Sequence, residues 1–144
     1  LCALLALATA FSRILTMLNA PQVLASFLSG IISSRISFLI LLNIVLLILG
    51  MFIDGAPAIL ILSPLLMPIA QQFGIDPVHL GIIMVCNLAV GLASPPFGLN
   101  LFVASSTNGA PIMEISRKVV PFILAFLVAL ILITFVPSIS LCLV

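Results

Sequence analysis

The chain has 144 residues, of which 65% are hydrophobic and 5% charged, with a formal net charge of +1. A soluble domain carries roughly 25% charged residues because water must solvate its surface, so this composition excludes a water-soluble fold. Four basic residues (Arg13, Arg35, Arg117, Lys118) against three acids (Asp54, Asp76, Glu114) exclude a nucleic-acid surface as well.

Cys2, Cys86 and Cys142 lie in apolar runs without metal-ligand spacing and read as packing residues. Leu1 lies inside an apolar run with no basic segment ahead of it, so the expectation is a piece of a longer polypeptide and one membrane domain.

A helix needs about 20 apolar residues to cross roughly 30 Å of hydrocarbon, and the polar interruptions divide the chain on that scale. Residues 1–35 read as a spanning helix, "LCALLALATAFSRILTMLNA", followed by a shorter, serine-containing arm, "PQVLASFLSGIISSR", suited to the interface. Arg13 is expected to reach an interface or a protein partner, since a lone arginine in hydrocarbon is costly.

Residues 36–73 form two apolar arms around Asp54. The first has 18 residues, about 27 Å if helical, and the second is interrupted by Pro57, Pro64 and Pro68. Two full crossings joined by an exposed Asp-Gly turn and a re-entrant hairpin with its tip inside the membrane both fit these lengths.

Residues 74–108 open on "GIDPVHLG", where Asp76 suits an N-cap and Pro77 the first helical position. His79 falls in the first turn and reads as a capping or interfacial residue. The segment then meets "SPPFG", whose two prolines remove two backbone donors, and resumes as "LNLFVASS", which reads as a helix broken at mid-depth.

The loop "TNGAPIMEISRK" (107–118) carries the chain into residues 109–144, which hold a terminal span starting at Val119. Arg117 and Lys118 ahead of that span point to a cytoplasmic N-terminal end. This bias does not separate the two topologies of residues 36–73, because Arg35 and Asp76 share a face in both.

Irregular backbone in lipid is tolerated only where protein or a water-filled cavity satisfies it. Two such stretches in successive apolar segments, "FIDGAPA" and "ASPPFGLN", are the pointer to a secondary transporter's binding site. Asp54 suits a sodium ion or proton, and Asn87, Ser94 and Asn100 suit a polar solute. The plain alternatives are a turn at Asp54-Gly55, a proline kink at Pro95-Pro96, and Asn43 as glue between helices. His79, the only histidine, has no nucleophile-base arrangement near it in sequence, so an enzyme is not expected.

The run from Gly50 to Ser106 resembles the C-terminal part of the large membrane subunit of tripartite ATP-independent periplasmic (TRAP) transporters. "GMFIDGAPAILIL", "GIDPVHLGIIM" and "SPPFGLNLFVAS" carry the resemblance, which extends over essentially the whole chain. It implies an all-α integral membrane protein, the second inverted repeat of an elevator-type transporter, with a re-entrant helical hairpin (36–73) and a broken helix (77–107). It further implies a bacterial or archaeal inner-membrane permease that imports organic acids of the C4-dicarboxylate or sialic-acid type. A periplasmic binding protein delivers the solute, sodium is the coupling ion, and a small membrane subunit completes the complex. No other cofactor is expected.

By the same resemblance, Asp54, Gly55, Ser94, Pro95 and Gly98 are expected to hold sodium, with Ala56, Asn87, Pro96 and Asn100 on the solute side. Many relatives have a Pro-Thr-Ala-like run where this chain has Gly55-Ala56-Pro57, and threonine in place of Ser94, so fewer side-chain ligands are expected here. Two rivals are a sodium/carboxylate symporter that needs no binding protein and a non-transporting membrane scaffold.

Overall fold

The computed structural model describes residues 2–23, 26 and 34–141; most of the interfacial arm expected after Pro21 lies outside the described residues. The described elements are helical throughout: α1 (Cys2–Met17), α2 (Arg35–Phe52), α3 (Gly55–Gln72), α4 (Pro77–Ala93), α5 (Leu99–Asn108), α6 (Ile112–Phe135) and α7 (Pro137–Leu141). Three of them, α2, α3 and α6, are long and apolar enough to cross a membrane. Together with the composition, this makes the chain an all-α, multi-pass integral membrane protein.

Local chemistry sets the helix boundaries. Ser34 caps α2 by accepting from the Ile36 N–H, and Asp76 caps α4 by accepting from the Val78 N–H, with Pro77 just inside. Gly74 and Gly109 follow the ends of α3 and α5 at positive φ, a conformation that a Cβ disfavours.

Packing centres on α4. Helix α2 lies along it, and Gly50 and Gly91 meet where the two cross. A Cβ on Gly91 would sit 2.7 Å from both the Gly50 Cα and the Leu47 carbonyl oxygen, and one on Gly50 would sit 2.9 Å from the Leu88 carbonyl oxygen. Glycine at both positions therefore lets the backbones touch, which is how helices associate where lipid removes the hydrophobic drive. Helix α3 lies between α1 and α4, and its far end joins the core: Ile69, Ala70 and Ile75 pack with Phe38, Leu39 and Leu42 of α2. The Phe38 and Phe73 rings stack there at 4.9 Å.

Helix α6 covers the other side of α4 with a narrow stripe. Its buried residues are Ser116, Ile123, Leu130 and Thr134, spaced seven, seven and four apart, whereas Phe122, Leu124, Phe126 and Val128 point outward. Such apolar exposure suits a helix whose outer face meets lipid rather than water. The helix begins at Ile112, not at Val119, so the expected loop is shorter. The Lys118 ammonium bonds the Glu114 carboxylate at 2.7 Å one turn back, in keeping with helix over this stretch. The terminal span also stops at Phe135: Pro137 has no N–H to continue the ladder, and α7 follows as a separate short helix.

Candidate site at the hairpin turn and the helix break

Helices α2 and α3 are joined by two residues, Ile53 and Asp54. The Ile53 N–H closes α2 on the Leu49 carbonyl, and Asp54 opens α3 with its Oδ1 accepting from the Gly55 N–H at 2.8 Å. The Asp54 carbonyl accepts the Ala58 N–H, so α3 begins at once. The carboxylate is exposed, has no ion-pair partner among the described residues, and sits at the positive end of the α3 dipole.

Helix α4 stops at Ala93, and residues 94–98 carry the chain to α5 without helix. Ser94 is buried; its hydroxyl donates to the Val90 carbonyl at 2.7 Å, its N–H to the Gly91 carbonyl, and its own carbonyl accepts from the Gly98 N–H at 3.0 Å. The Leu92 and Ser94 carbonyl oxygens crowd Gly98, lying 2.6 and 2.7 Å from where a Cβ would stand. Only glycine leaves that cradle open. The Pro95-Pro96 peptide is cis, and the Pro95, Pro96 and Phe97 carbonyls accept no hydrogen bond from the described residues.

Tertiary packing brings the turn to the break. The Phe52 and Phe97 rings lie 4.9 Å apart, and Gly55 faces Leu88 on α4. The contacts that join turn and break are thus made by residues next to the expected ligands: Phe52 precedes Ile53 and Asp54, and Phe97 precedes Gly98. Ala56 and Pro96 are exposed, and so is Asn100, in the first turn of α5.

Asn87 is placed differently. It is fully buried in the face of α4 toward α2, where its Nδ2 donates to the Asn43 side-chain oxygen and the Ile83 carbonyl, both at 2.8 Å. Thr134 of α6 donates to the same Asn43 oxygen at 3.2 Å. A polar cluster thus ties α2, α4 and α6 together, and Asn43 is the glue between helices that its lone position in an apolar arm suggested.

His79 is also fully buried rather than interfacial. Its Nε2 lies 3.2 Å from the Thr134 carbonyl oxygen, which can only accept, so Nε2 carries the proton. Thr134 was not legible in the sequence, because one threonine in a long apolar helix gives no sign of what it faces.

The chemistry available at the turn and break is oxygen ligation. No group of three His, Cys, Asp or Glu side chains converges among the described residues, so a transition-metal centre finds no ligand set there. One carboxylate beside unpaired carbonyls suits a hard monovalent cation instead. Two grooves of about 310 and 360 Å³ flank α6, but both are apolar and neither includes a residue of the turn or the break.

The sequence profile of the family described as "Tripartite ATP-independent periplasmic transporter, DctM component" matches residues 1–139. A C4-dicarboxylate TRAP transporter large permease protein, DctM, of Pseudomonas aeruginosa is 46% identical over 140 residues, 97% of this chain and 33% of the relative. An isethionate TRAP transporter permease protein, DctMQ, of Oleidesulfovibrio alaskensis is 44% identical over 136 residues, 94% of this chain and 21% of that protein. A sialic acid TRAP transporter large permease protein, SiaM, of Vibrio cholerae is 36% identical over 133 residues, 92% of this chain and 31% of the relative. The chain thus spans between a fifth and a third of the length of these relatives.

Proposed function

The chain belongs to the DctM family of tripartite ATP-independent periplasmic transporters, and from that premise we propose that it is part of a permease that moves an organic acid across a bacterial inner membrane, driven by sodium. In this reading residues 36–73 are a re-entrant hairpin and residues 94–98 are the break that faces its tip. A periplasmic binding protein delivers the solute and a small membrane subunit completes the complex. The solutes in the relatives' names, C4-dicarboxylate, isethionate and sialic acid, are all organic acids, which supports an organic acid as the solute.

One observation carries the proposal: a carboxylate with no ion-pair partner among the described residues, on a two-residue turn, stands near a loop in which the Pro95, Pro96 and Phe97 carbonyls accept no hydrogen bond from the described residues. Desolvating either alone in a membrane protein is costly, and a sodium ion between them removes the cost for both. Asp54, Gly55, Ser94, Pro95 and Gly98 would hold the ion. Its charge, with the positive N-terminus of α5, then favours the solute's acid group near Ala56, Pro96 and Asn100. Asn87, bonded to Asn43, supports this face from within α4. Sodium and solute would therefore bind together, and the empty turn would stand open.

The test is sodium-dependent uptake of a labelled organic acid by the reconstituted transporter. Asn and Asp are comparable N-caps, so Asp54→Asn keeps the fold while removing the charge. The sodium concentration for half-maximal uptake should rise on the order of tenfold or more, as expected when a contact to a charged group worth about 1.5–3 kcal/mol is lost. Unchanged sodium dependence would sink the ion assignment.

A further inference from the structure

The two arms of the hairpin are equal in length but are held in different ways. Helix α2 is fixed along its length: Asn43 accepts from Asn87 of α4 and from Thr134 of α6, Leu46 is fully buried, and Gly50 rests on the backbone of α4 at Gly91. Helix α3 makes no side-chain hydrogen bond to another helix among the described residues. Its hold is by apolar packing alone: Pro57 and Ala58 are buried near the turn, and at the far end Ile69 and Ala70 are fully buried, the Ile75 N–H bonds the Ala70 carbonyl, and Phe73 stacks on Phe38.

Pro64 and Pro68 stand between that anchored end and the turn, inside the helix. Each lacks the N–H that would bond the carbonyl four residues back, so the Leu60 and Pro64 carbonyls lose their helical donors. A helix with two ladder bonds missing in adjacent turns bends there more easily than anywhere else along it.

We propose that the hairpin opens on one arm: the tip half of α3, residues 55–63, swings about Pro64 and Pro68 while α2 stays fixed to α4 and α6. Asn43 is then a positioning residue that holds the still arm. The Phe52–Phe97 contact stays closed, because both rings belong to the fixed part. The movement separates Gly55 and Ala56 from α4, where even a Cβ added at Gly55 would come no nearer to Leu88 than 4.0 Å. The inference rests on the reading of the turn as a gate, and it specifies which side of the gate moves.

Amide hydrogen exchange on the protein in lipid nanodiscs tests it, read without sodium or solute so that failure of the transport reading leaves this outcome unaffected. In the unmodified protein, residues 55–63 should exchange faster than residues 43–52. Asn43→Leu removes two interhelical hydrogen bonds and should speed exchange in 43–52 by at least about 3- to 20-fold, the range for losing one such bond in a membrane protein, and leave 55–63 unchanged. Pro64→Ala should restore a donor to the Leu60 carbonyl and slow exchange in 55–63 alone. If Asn43→Leu does not fold, Pro64→Ala decides by itself. Equal exchange in the two arms, or variants that shift both arms together, would overturn the proposal.

Discussion

The chain leaves helical geometry twice within its apolar stretch, and the two places solve the problem by opposite means. At Ile53-Asp54 the backbone reverses between two helices and the repair is external: an exposed carboxylate caps the next helix. At residues 94–98 the helix is broken and the repair is internal: a buried hydroxyl and N–H close the last turn of α4, and Gly98 fits under two carbonyl oxygens. A turn that relies on one charged side chain can be retuned by changing that side chain. A break that relies on close backbone contact cannot be changed without moving a helix.

The largest test of this contrast is at the helix crossing that supports both places. Gly91→Ala puts a Cβ 2.7 Å from backbone atoms of α2, which cannot rotate away, so unfolding by SDS in bicelles should show a loss of about 1–3 kcal/mol. Retained stability would mean that the two helices slide freely, contrary to the fixed-arm description. An intermediate effect is expected at the turn. Asp54→Ala removes the cap and should cost about 1 kcal/mol in the same assay, whereas Asp54→Asn should cost almost nothing. Equal losses in the two variants would show that charge, not capping, holds the turn. The smallest effect belongs to Ser94→Ala. The Ser94 hydroxyl bonds its own helix at Val90, so its removal should change stability by no more than about 0.5 kcal/mol. A larger loss would show that the hydroxyl holds the break together.

The two irregular stretches are legible in the sequence alone. Asp54 stood out because it had no charged neighbour from Arg35 to Asp76, and Pro95-Pro96 because a spanning helix cannot keep its ladder through two missing donors. Asn43 was read as glue, and it is. Asn87 was read as a solute ligand, but polarity in a sequence does not say which face of a helix carries it. Its Nδ2 is committed to Asn43 and Ile83 within the packing of α2 and α4, while its Oδ1 is buried with no partner among the described residues. His79 was placed at the interface from its position in the first turn; packing of α6 against α4 buried it instead.

The sequence by itself determined the medium, the helices and most of their ends, the start and stop of α6 excepted, since hydropathy, capping residues and prolines act within a turn or two of chain. It also carried family membership, which rests on motifs contiguous in sequence. What only the tertiary structure decided is which polar residues meet: the Asn43–Asn87–Thr134 cluster spans 91 residues of chain, and the Gly50–Gly91 contact unites two segments that are merely apolar on paper. The physical reason is that in lipid both faces of a helix are apolar, so hydrophobic pattern no longer marks the inside, and contact is chosen by small residues and hydrogen bonds whose partners are distant in sequence.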